Sequence, residues 1–210
     1  MNNKNIILGS RIGLFVAGSI GVVLQLIKNG GFGMLLYYTI LSNILVVCFT
    51  GYLVYLMVTK KDYKNRTLLR VKGGVVMSIM ITFIIYHFML RPFIFPENFY
   101  RLENFLCHYI VPLWFFFDTL LFDKRNQYKK FDPIWWTAAP LGYTVLALIN
   151  GLIIKLPIPG SPDSPFAYFF MNVYKQGWVS VLTSNVVISI SYIILGYVFL
   201  AIMKLNFLRR

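Results

Sequence analysis

The chain of 210 residues is 58% hydrophobic and only 13% charged, against roughly 25% charge in an ordinary soluble domain. So few polar residues cannot cover the surface of a globular fold of this length, and the composition points to a chain that dissolves in lipid. It excludes a disordered tail and a disulfide scaffold. The 20 Lys and Arg against 7 Asp and Glu, with a pI near 9.8, are compatible with nucleic acid or membrane, so the position of the cations has to decide.

A hydrocarbon core of about 30 Å needs about 20 apolar helical residues. Six runs qualify, at residues 7–27, 34–58, 73–91, 105–122, 134–154 and 178–203. They are apolar on all faces rather than alternating, which favours helices over a barrel. The expected architecture is all-α, a polytopic membrane protein with six transmembrane helices in a single domain over 1–210. The first run reads as a retained span, because it is too long for a signal peptide and no small-residue cleavage site ends it. No internal repeat and no pair of broken helices in matching halves is visible, which weakens a secondary-transporter reading. Cys48 and Cys107 lie inside apolar runs without metal or redox spacing and read as packing residues.

The cations divide unevenly. Lys60, Lys61, Lys64, Arg66, Arg70 and Lys72 follow the second run, and Lys124, Arg125, Lys129 and Lys130 follow the fourth. Lys4, Arg11, Lys204, Arg209 and Arg210 flank the chain ends. Lys28, Arg91, Arg101, Lys155 and Lys175 fall on the other side. By the positive-inside rule both termini are cytoplasmic. The basic charge is then mostly topology, with binding of membrane lipid headgroups as a by-product. The short loops offer no base-reading surface, so no nucleic acid partner is expected. The loop 155–177 is punctuated by Pro157, Pro159, Gly160, Pro162 and Pro165 and carries Phe166, Tyr168, Phe169 and Phe170. It reads as an aromatic cover at the outer interface or as a lid over a site opening outward.

Polar groups within spans are costly, so each is a functional candidate. With this topology Thr39, His87 and His108 share one depth near the outer surface. Asn43 follows Thr39 by four residues on the same helix face, and Ser42 lies almost on it. A neutral imidazole beside a hydroxyl is the minimum for general-base activation of a nucleophile. The plainer alternatives are a threonine bonded to its own backbone and histidines in interhelical hydrogen bonds. Arg11 and Asp118 share a depth near the inner ends of their spans and read as a structural ion pair, with a loop lysine as the other partner for Asp118. Gln25, Asn150 and Asn185 read as interhelical hydrogen-bonders, Asn185 within reach of the outer cavity. Pro112 and Pro140 should kink their spans. Nucleotide-binding, zinc-protease and serine-elbow motifs do not occur, and no metal or other cofactor is implied.

Two stretches carry a more specific signal. Tyr37-Tyr38-Thr39-Ile40-Leu41-Ser42-Asn43 opens the second span, and Asn104-Phe105-Leu106-Cys107-His108-Tyr109-Ile110-Val111-Pro112 opens the fourth. With Phe95-Pro96 and Ser164-Pro165-Phe166 they resemble the androgen-induced and androgen-dependent membrane hydrolase family, in particular its bacterial six-span relatives. The resemblance follows the order of the spans over nearly the whole chain. The eukaryotic members are intramembrane threonine hydrolases of fatty acid esters of hydroxy fatty acids, pairing a Thr on an early span with a His shortly before a proline on a later one. The resemblance therefore implies Thr39 as nucleophile, His108 as general base and a lipid ester as substrate. An oxyanion donor is then required, with Asn43, Asn104, Tyr86, Trp178 and Asn185 as candidates. Ser42 and His87 are expected to line the pocket. The implied location is the cell membrane, with the site facing the outer leaflet. A transporter or lipid-binding membrane protein without turnover is the competing reading.

Overall fold

The computed structural model describes residues 3–205; Arg209 and Arg210 lie outside the described residues. Six helical segments are long and apolar enough to cross a membrane: Lys4–Asn29, Tyr38–Val58, Arg66–Phe93, Leu102–Phe122, Asp132–Ile154 and Val173–Lys204. They are spans one to six below. Helices and turns account for the regular structure among the described residues, without a strand. The chain is thus an all-α, multi-pass membrane protein. An even number of crossings brings both ends of the described chain to one side, here the terminal side; the opposite one is the far side.

Prolines and glycines place the irregularities. Pro112 has no N–H to offer to the preceding turn. The residues before it, Leu106–Ile110, widen into a π turn that carries His108. Two further π turns, Tyr86–Leu90 and Asn150–Ile154, lie at the far-side ends of spans three and five. Span five is broken at Thr137, between Asp132–Trp136 and Ala138–Ile149, just ahead of Pro140, as expected for a residue that restricts the turn before it. Span six carries a further break just ahead of the expected run 178–203. Gly177 takes φ 74° and ψ 158°, a backbone shape that glycine adopts without penalty. The regular part of the span therefore starts at Trp178.

A cluster including Leu14, Val46, Val76, Ile79, Val111, Phe115, Tyr192 and Phe199 forms the main core. It is the seam where spans one, two, three, four and six meet. The lipid-facing sides keep residues such as Val23, Leu45, Phe117, Val145, Val186 and Ile190 exposed, as a bilayer solvent allows.

Charge is buried on the terminal side. Lys72, expected in a loop, lies inside span three because that helix starts at Arg66, several residues before the apolar run. Its Nζ is 2.6 Å from Asp118 and 2.8 Å from Asp123. Arg11 reaches the same two carboxylates at 3.2 and 3.0 Å. All four side chains are at most 2% exposed. Both partners expected for Asp118 are therefore present together. Two cations and two anions cancel, which is how charge survives in a low-dielectric interior. Arg70 and Asp132 add a pair at 2.6 Å that ties span three to span five.

The far side is closed by the segment after span five. Most of its aromatic rings turn inward, onto the bundle. Phe166, Tyr168 and Phe170 are buried against the bundle, and only Phe169 of the group is exposed. Gly30 and Gly33 explain how the segment comes so close, since a Cβ on either would collide with Pro159. The Tyr37 hydroxyl donates to the Pro159 carbonyl at 2.6 Å. Gly151 likewise leaves room for the Phe166 ring. Asn150 donates to the carbonyls of Leu156 and Pro165, so it anchors the cover rather than bridging two spans.

Candidate active site on the far side

Thr39 is the second residue of span two, and its position there has a chemical consequence. The first amides of a helix have no intrahelical partner. The Tyr37 carbonyl takes the amides of Ile40 and Leu41, whereas the Thr39 N–H turns to the Tyr168 hydroxyl at 3.4 Å. The Thr39 Oγ1 lies 3.4 Å from the same hydroxyl. One phenol thus touches both the side chain and the amide of Thr39, at the positive end of the helix dipole. Behind Thr39 the helix is fixed by its neighbours. The Thr39 carbonyl accepts from Ser42 Oγ at 3.0 Å and from Asn43 Nδ2 at 2.8 Å. Asn43 also donates to the Cys107 carbonyl at 3.0 Å, joining span two to the turn that carries His108.

His108 is held in a defined orientation. Its Nδ1 is 3.0 Å from the Asn104 carbonyl. A carbonyl can only accept, so Nδ1 carries the proton and Nε2 keeps a free lone pair. The ring stacks on Tyr86, with centroids 3.7 Å apart and planes at 24°. Asn104 holds Tyr86 in turn by donating to its hydroxyl, and it also donates to the Phe99 carbonyl at 2.9 Å. His108 therefore has a ring-stacked, backbone-anchored position without a carboxylate behind it.

Thr39, His108, Asn104, Tyr86 and Tyr168 line one cavity of about 550 Å³. Gln25, Arg101 and Glu103 are part of its polar wall. The Glu103 carboxylate is paired with Arg101 at 2.6 Å and with Lys28 at 3.4 Å. A second, smaller pocket of about 50 Å³ also touches Thr39 and Tyr168, but not His108. Tyr168 lies outside the spans, and burial pushes its phenol up to about 12. It is a neutral hydrogen-bond donor at any physiological pH.

The remaining site candidates are distributed differently. Ser42 and Asn43 are buried behind Thr39 and do not line either cavity. The amide donors of Asn43 and Asn104 are both engaged, and that of Asn185 bonds the Val181 carbonyl at 2.8 Å. Asn185 lines the smaller pocket and accepts from Thr144 at 2.8 Å. Trp178 is half exposed and belongs to neither cavity. His87 faces a separate groove with Arg91 and Phe99 and bonds Tyr109 at 3.1 Å. Gln25 bonds Asn29 on its own helix at 2.7 Å rather than another span. The residue that sequence reasoning passed over is Tyr168. It was one ring among four in the cover, yet the only one of them with a hydroxyl, and that difference was the available signal. No group of three or more His, Cys, Asp or Glu arranged to hold a metal ion occurs among the described residues.

The fold and the cavity together define a six-span membrane protein with a polar, histidine-containing chamber near one face. The chain matches no family model, no curated protein and no solved structure.

Proposed function

We propose that the protein is an intramembrane threonine hydrolase of lipid esters. Support comes chiefly from one observation. A threonine hydroxyl at a helix N-terminus and a histidine with a free Nε2 line the same cavity. In this reading the Thr39 Oγ attacks the ester carbonyl carbon while its proton passes to His108 Nε2. The carbon–oxygen bond to the alcohol then breaks, and the alkoxide takes that proton. An acyl-threonine remains. Water attacks it with His108 again as base, the bond to Oγ breaks, and Thr39 regains its proton as the acid leaves. The sum is ester plus water to acid plus alcohol.

The negative charge on the carbonyl oxygen needs donors that are already in place. The Thr39 amide and the Tyr168 hydroxyl are the groups on hand. They bond each other in the free protein and would turn to the oxyanion during reaction. The backbone partner of His108 makes the pair a dyad. The resemblance points to fatty acid esters of hydroxy fatty acids as the substrate class. The excess of cations on the terminal side supports a reading in which that side faces the cytoplasm, the membrane is the cell membrane and the cavity opens at the outer leaflet.

The test is hydrolysis of fatty acyl esters by purified protein in detergent, comparing wild type, Thr39→Ala and His108→Ala. Turnover by the wild type and its loss in both variants is expected. Absence of turnover in the folded wild type across several esters would contradict the reading and favour a binding or transport role.

A further inference from the structure

Thr39 sits on the partition between two cavities of different character. The larger, about 550 Å³, contains His108 and the polar wall. The smaller, about 50 Å³, is bounded mainly by Ile81, Ile85, Leu90, Pro140, Phe170 and Ile188. Most of its polar side chains already have hydrogen-bond partners, although the Tyr38 hydroxyl in the same wall is left without one. Thr82 bonds Ser42 at 2.8 Å, and Thr144 bonds Asn185 at 2.8 Å. A wall that is mostly hydrocarbon, with few free polar groups, favours an apolar group over water.

Chemistry then decides which end of the ester lies on which side. His108 must give its proton to the departing alcohol oxygen, and it must later activate water. Both events belong to the cavity that His108 lines. His108 has no place in the smaller pocket, so the leaving group cannot be protonated from there. We infer that the small apolar pocket is the acyl seat, receiving the hydrocarbon beside the ester carbonyl, while the large polar cavity takes the alcohol half and the hydrolytic water. This rests on the threonine hydrolase reading and adds to it a direction for the substrate. Discrimination against bulk then operates on the acyl side, where room is scarce, and far less on the alcohol side.

The experiment uses two ester series with purified full-length protein in detergent. One keeps the alcohol and enlarges or branches the acyl group; the other keeps an acetyl group and enlarges the alcohol. Each rate is divided by the hydroxide-catalysed rate of the same ester, which removes intrinsic reactivity. For the wild type, bulk beside the carbonyl should cost at least about tenfold more than the same bulk on the alcohol. Ile188→Trp or Ile85→Phe, on two different spans, should lower the ratio of butyryl to acetyl turnover at least about tenfold further. Ile94→Trp, at a residue that lines the large cavity and not the small one, should change the dependence on the alcohol instead. Equal sensitivity to bulk on both sides, or a reversed pattern, overturns the inference while leaving a threonine hydrolase standing. A folded wild type that turns over no ester removes the hydrolase reading and this one with it.

Discussion

The two ends of the bundle bury polar groups in opposite ways. On the terminal side Arg11, Lys72, Asp118 and Asp123 are spent on each other, at 2.6–3.2 Å and almost without exposure. On the far side the polar groups are uncharged at the centre and face open space. His108 keeps a lone pair, and Thr39 and Tyr168 share a weak, long contact. Intramembrane charge is a functional candidate by default, but partners decide. Fully paired charges fix one arrangement of spans, whereas partly committed neutral groups beside a cavity remain available for chemistry. The candidate site is therefore the cavity at the end with less charge.

The largest effect that separates the two ends should come from Thr39. Thr39→Ala is expected to lower ester turnover on the order of 10⁴-fold or more, as for removal of other hydrolase nucleophiles, with little change in the thermal midpoint in detergent. The reverse pattern belongs to the terminal side. Lys72→Ala leaves two carboxylates facing Arg11 alone, and breaking a buried pair costs about 3–5 kcal/mol. Thermal unfolding should show that loss, and turnover per folded molecule should persist at low temperature. If the double variant Lys72→Met/Asp118→Leu is no more stable than Lys72→Ala, the cluster is not a set of mutually compensating charges.

Tyr168→Phe comes next. It keeps the buried ring and removes only the hydroxyl that touches Thr39. A fall in kcat of about 10²–10³, with KM nearly unchanged, is the size expected for one oxyanion donor. A change in KM alone would assign Tyr168 to substrate binding. The smallest effect is on pH. Burial raises the Tyr168 phenol from 10.0 to about 12. Between those values the unfolded chain loses a proton that the native state keeps. Its stabilising contribution is complete below pH 10 and is lost as pH rises to about 12, by at most about 1.4 kcal/mol per unit. Tyr168→Phe should flatten that part of the stability curve.

Much of this contrast was legible in the residues. Six apolar runs gave six spans, and Pro112 and Pro140 marked the irregular turns beside them. The shared depth of Thr39 and His108 anticipated a common cavity. What stayed hidden depends on distant partners. A lysine just ahead of an apolar run looks like a loop residue. Only the packing of spans one, three and four turns Lys72 into one of the four charges of a buried cluster. The same holds for Tyr168, more than 120 residues from Thr39 in sequence. Its hydroxyl sets it apart from its aromatic neighbours, but what that hydroxyl meets is fixed only when the glycines at 30 and 33 let the cover fold down. Depth also grouped His87 with the site, but depth fixes no direction around a helix, and His87 faces another groove.

The most direct test is mass spectrometry of the protein quenched during incubation with an excess of butyryl ester. A butyryl group on the peptide containing Thr39, accumulating before steady state and absent from Thr39→Ala, is the predicted result. Turnover without any acylated residue, or with the acyl group on another side chain, would contradict Thr39 as the nucleophile.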